Sequence, residues 1–82
     1  MPKDLCKNAV VGTKQVLRAI QEGKLERIYL AEDADAFLQN KLRSVCYEYG
    51  VELETVPSMR GLGEECGIDV GAACAGVPKQ MG

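Results

Sequence analysis

Three stretches with helical periodicity, each closed by a glycine, alternate along this chain with short apolar runs. That alternation narrows the fold more than any other feature. From Thr13 to about Glu22, Val16, Leu17 and Ile20 recur at the spacing of one helix face, and Gly23 follows as a stop. Leu38, Leu42, Val45, Cys46 and Tyr49 form a longer stripe ended by Gly50, the strongest periodic signal in the sequence. Pro57-Ser58 opens a third helix carrying Met59, Leu62 and Cys66 and closed by Gly67. Between them, Ala9–Val11, Arg27–Ala31, Val51–Val56 and Ala72–Val77 read as strands, the last a central one of small residues. Glu52 and Glu54 alternate with Val51, Leu53 and Thr55, the pattern of an edge strand guarded by charge. A polar segment with a helical turn or two precedes Ala9, and Pro78–Gly82 reads as a flexible tail. The expectation is an α/β domain over residues 1–82, one four-stranded sheet with helices on both faces.

The same sequence narrows function by elimination. Its 82 residues contain no histidine, no nucleophile elbow, no phosphate-loop signature and no cofactor fingerprint, so an enzyme is not expected. Cys6, Cys46, Cys66 and Cys74 form no C-x-x-C pair and lack histidine partners, so neither a metal nor a redox motif is read. Cys46, Cys66 and Cys74 are expected as small core hydrophobes, and no cofactor is called for. No apolar run approaches a membrane span and no signal peptide is read, which leaves a cytoplasmic protein as the expectation, and a monomer is expected because no large apolar surface stripe is left over. The net charge of −2 opposes a non-specific nucleic-acid binder. Its distribution is more informative: Lys3, Lys7, Lys14, Arg18 and Lys24 come early, whereas Glu48, Glu52, Glu54, Glu64 and Glu65 come later.

Gly12-Thr13-Lys14-Gln15 begins the first helix with a cation where the helix dipole favours an anion. Arg18 lies one turn on, and no acid precedes Gln21. A helix N-terminus already presents free N–H groups to an anion, and Lys14 and Arg18 strengthen that site. Phosphate on a non-enzymatic scaffold points to nucleic acid. On an arbitrary helix these would be solvated charges; their placement at the helix start, joined to the family resemblance described next, is what favours a ligand. Thr13 is the expected N-cap of this helix. In the acidic turn Glu32-Asp33-Ala34-Asp35, paired carboxylates could serve a cation, but capping of the next helix by Asp33 or Asp35 is the simpler reading.

Three motifs in order, Gly12-Thr13-Lys14-Gln15-Val16-Leu17-Arg18, Ala31-Glu32-Asp33-Ala34-Asp35 and Leu62-Gly63-x-x-Cys66-Gly67-Ile68, resemble the kink-turn RNA-binding superfamily of ribosomal proteins of the L7Ae and L30e type. The likeness spans roughly residues 4 to 77 and is strongest to the small bacterial, YbxF-type members. It implies a three-layer α-β-α sandwich with a mixed four-stranded sheet that binds a sharply bent RNA with tandem sheared G·A pairs and a flipped-out nucleotide, in the ribosome or another structured RNA. It further implies that Gly12, Thr13, Lys14, Gln15 and Arg18 meet guanine edges and phosphates. Glu32, Asp33 and Asp35 would supply an acidic contact, and Ile68, Asp69, Val70 and Gly71 would cover an extruded base. Many relatives carry Asn-Glu where this chain has Lys14-Gln15, a proline where it has Ala36, and a lysine where it has Met59 beside Arg60. Those departures shift the expected binding toward phosphate and shape and away from base readout. The alternative is a protein-interaction module on the same scaffold, which the acidic net charge favours and Lys14, Gln15 and Arg18 oppose.

Overall fold

The periodic stretches are helices and the apolar runs are strands. The computed structural model describes residues 9–67 and 71–79. In chain order they form β1 (Val10–Val11), α1 (Thr13–Gln21), β2 (Leu25–Ala31), α2 (Ala36–Tyr49), β3 (Glu52–Val56), α3 (Met59–Glu65) and β4 (Cys74–Pro78). The sheet order is β1-β4-β2-β3. β2 pairs with β3 in parallel, and β4 runs antiparallel to both β1 and β2, so the sheet is mixed. α1 and α2 pack on each other over one face, and α3 lies across the other, touching β2, β3 and β4. This is the three-layer arrangement that the sequence leads one to expect.

The core sits where β2 is enclosed between β4 and β3. Ile28, Leu30 and Ala31 are fully buried, and so are Val16 and Ile20 of α1, Leu42 of α2 and Leu62 of α3. Burying each such side chain contributes about 1.5–3 kcal/mol relative to exposure. Cys46 and Cys74 are buried among them, while Cys66 is half-buried. Burial pushes the Cys46 thiol up to about 11, with the neighbouring Cys74 adding to the effect. Burial also raises Cys74, opposed by its bond to Thr13.

Strand boundaries differ from expectation, and pairing explains each difference. β2 begins at Leu25 rather than Arg27, because β4 continues to Pro78 and offers Leu25 a partner there. A register shift between Leu25 and Arg27 turns the Leu25 side chain over Gly76, where a Cβ would collide with Leu25 Cδ1. Pro78 therefore belongs to the strand rather than to a tail, and the next amide, Lys79 N–H, bonds to Lys24 O at 2.8 Å. β4 starts at Cys74 rather than Ala72, since the Ala72 amide is committed to Met59 O at 2.9 Å. β3 occupies an edge, and its Glu52 is not simply a solvated guard: the carboxylate takes two bonds from Arg27, at 3.0 and 3.1 Å.

One consequence of the topology positions the site. β1, β2 and β3 all point the same way, so each delivers the chain to the same end of the sheet. The helices that follow them, α1, α2 and α3, all begin there.

Candidate nucleic-acid interface

Gly12 makes the turn from β1 into α1. Its φ of 102° and ψ of 147° lie in a region open essentially to glycine alone. Its amide bonds to Cys74 O at 3.3 Å, and its carbonyl accepts the Val16 amide at 2.9 Å. Gly12 is thus the N-cap, and Thr13, expected in that role, is the first helical residue. A side chain at the cap would have to adopt the φ that only glycine tolerates, and the Thr13 hydroxyl is occupied elsewhere, accepting from the Cys74 thiol at 4.0 Å.

No side chain caps this helix start, and no acid occupies its first turn. The amides of Thr13, Lys14 and Gln15 precede the first intrahelical donor and so emerge from the helix end without an internal acceptor. Lys14, Gln15 and Arg18 are exposed and together line an open depression of about 420 Å³. Among the described residues neither Lys14 nor Arg18 forms an ion pair. The Gln15 amide folds back over Gly12, whose missing side chain leaves room for it: a Cβ there would stand 2.9 Å from Gln15 Oε1. A surface of two unpaired cations, one carboxamide and three outward amides is a ready receptor for phosphate oxygens and a base edge.

The acidic turn lies at the same end but does different work. Glu32 N–H bonds to Val56 O at 2.8 Å, tying the exit of β2 to that of β3. The expected capping of α2 by Asp33 or Asp35 does not occur. Asp35 occupies the N-cap position without a side-chain bond. The turn is held instead by Gln39, whose Nε2 donates to Ala34 O at 2.7 Å and Glu32 O at 3.2 Å. Asp33 reaches across the sheet end and accepts the Met59 amide at 2.8 Å, at the start of α3. Ser58 Oγ accepts the Gly61 amide at 3.0 Å in the same turn, so α3 is capped twice where α1 is not capped at all. Glu32 and Asp35 remain exposed.

Of the loop expected to cover an extruded base, Ile68, Asp69 and Val70 lie outside the described residues. Gly71 is exposed and sits against the first turn of α3, where a Cβ would lie 3.3 Å from Met59 backbone atoms. Ala73 O accepts the Ala31 amide at 2.9 Å. Gly12, the 32–35 turn, Met59 and Gly71–Cys74 are therefore laced together by hydrogen bonds at one end of the molecule.

Sequence reasoning missed three features at this end of the molecule. The Asp33–Met59 bond spans 26 positions, for which no local signal exists. Gln39 lies among the polar positions of α2 and looks like any surface residue. Phe37 is 76% exposed at this end, and a signal for it was present: it falls off the Leu38–Leu42–Val45–Cys46 stripe.

The chain is similar to known proteins in both sequence and fold. Residues 5–81 match the model of the ribosomal protein L7Ae/L30e/S12e/Gadd45 family. An RNA-binding protein of Caldanaerobacter subterraneus subsp. tengcongensis is 42% identical over 66 residues, 80% of each chain. The RNA-binding protein YbxF of Geobacillus stearothermophilus is 41% identical over 68 residues, 83% of each chain. The solved structure of a Giardia lamblia 15.5kD RNA binding protein superposes with a TM-score of 0.85 at 25% identity, covering 96% of this chain and 67% of that one.

Proposed function

The chain belongs to the ribosomal protein L7Ae/L30e/S12e/Gadd45 family, and from that premise we propose that it is a non-enzymatic RNA-binding protein that recognises kink-turns in structured RNA. The observation that carries the reading is the open start of α1, with Lys14, Gln15 and Arg18 around three outward amides. Gly12 lets the RNA backbone approach closely, since no Cβ stands in the way. The amides of Thr13, Lys14 and Gln15 donate to phosphate oxygens at the kink, and Lys14 and Arg18 neutralise the charge that bending crowds together. Gln15 offers one acceptor and a donor pair to a guanine edge. The protein acts by population shift: it favours the bent conformer by the difference in affinity for bent and straight forms. The ribosomal proteins in the family description favour ribosomal RNA as the target; the same proposal has a single copy binding it in the cytoplasm.

A gel-shift titration tests this directly. A kink-turn duplex should bind tightly, while the same duplex with its G·A pairs replaced should bind at least 100-fold more weakly, a difference of about 2.7 kcal/mol. Equal affinity for both would sink the proposal.

A further inference from the structure

α1 and α2 run side by side in one layer, both following parallel strands and both starting at the site end. Their exposed strips correspond position for position. Lys14 and Arg18 are the second and sixth residues of α1, and Phe37 and Lys41 are the second and sixth of α2. All four are exposed, and residues four apart share a helix face. Phe37 is the only phenylalanine in the chain, and at 76% exposure it contributes nothing to the core. Helices packed in one layer stand about 8–10 Å apart, a separation that one or two nucleotides can bridge.

We propose that the outer shoulder of α2 extends the RNA site, with Phe37 stacking on a base of the strand leaving the kink while Lys41 and Arg18 hold its phosphates. The inference rests on RNA binding at the start of α1 and adds a second contact area beyond it. Charge selects the occupant. Among the described residues Lys41 forms no ion pair, as Lys14 and Arg18 form none. Within α1 there is no acid, and within α2 the first is Glu48, three turns past Phe37. A chain of net charge −2 thus keeps α1 and the first three turns of α2 without an acid, while acids accumulate on the 32–35 turn, β3 and α3. Aromatic faces beside unpaired cations are how proteins hold unpaired nucleotides: the ring covers the base and the cations take the backbone. Exposed Glu32 and Asp35 precede α2, which places a base rather than a phosphate over Phe37.

The chain has no tryptophan, so Phe37→Trp installs a single fluorescent reporter at the stacking position. Two RNAs are compared: a minimal kink-turn, and the same kink-turn with one arm extended by unpaired nucleotides. On the extended RNA, Phe37→Ala should lose about 5- to 160-fold in affinity, the range of one lost base–aromatic stack. Phe37→Trp should retain affinity, and its emission should be quenched on binding. On the minimal RNA, Phe37→Ala should bind like the parent. Phe37 is exposed, so thermal melts of these variants should match the parent and serve as the folding control. Full affinity of Phe37→Ala for the extended RNA, with Phe37→Trp emission unchanged, would overturn the proposal and leave a protein partner as the occupant of this shoulder. Lys14→Ala on the minimal RNA separates the two readings: if that variant also binds normally, the underlying site at α1 fails as well.

Discussion

Position 12 has no room for a side chain, in conformation or in space. Gly12→Ala should destabilise the fold by about 1–3 kcal/mol through its φ alone, measurable by urea unfolding. It should also weaken RNA binding, because the new methyl displaces the Gln15 carboxamide that now lies over the glycine. Asp33 makes a prediction that rests on a hydrogen bond instead. Its oxygen caps α3, so Asp33→Ala should cost about 1 kcal/mol of stability, while Asp33→Asn, which keeps an acceptor, should cost less. The difference between these residues is also a difference in legibility. Lys14 and Arg18 could be read from the sequence because helix spacing puts them together at an acid-free start, whereas Gln15 beside them took its role only from the family resemblance. Asp33 could be located but not assigned, since its partner sits 26 positions away and is brought near only by the sheet.

At the level of elements, the three helices were legible because an apolar stripe and a terminal glycine are both local signals. Their caps were not, because a cap depends on what the neighbouring loop leaves free. Strand ends were legible only to within a few residues: Leu25 and Pro78 become strand because they pair with each other across the bulge. The contrast between α1 and α3 yields a measurement. In the free protein the amides of Thr13, Lys14 and Gln15 should exchange with solvent rapidly, whereas Val16, bonded to Gly12 O, should be protected. Kink-turn RNA should slow exchange at those three amides; unaltered exchange in a saturated complex would place the RNA elsewhere. At α3, whose start is satisfied internally, Ser58→Ala should cost about 1 kcal/mol of stability and leave RNA affinity intact.

For the whole molecule, the buried thiols set a pH limit. Cys46 holds its proton to about 11, against an ordinary value of 9.0, and Cys74 shifts the same way. Over that interval the unfolded chain releases protons that the folded chain keeps, so stability falls as pH rises through it. Urea midpoints should therefore decline from pH 9 toward 11, and Cys46→Ala should flatten the decline. The sheet order and layering followed from strand–helix alternation, but the meeting of Gly12, the 32–35 turn and Met59 at one end needed the mixed sheet itself. That gathering of helix starts makes the charge of the molecule uneven: the open start of α1 carries partial positive charge and bare cations, while carboxylates lie on the 32–35 turn beside it, on the strand edge and on α3. In the field of a polyanion such a body tumbles into alignment before it touches, shortening the rotational search. Added salt should accordingly slow association steeply while changing the lifetime of the bound state far less, a split that stopped-flow mixing would resolve.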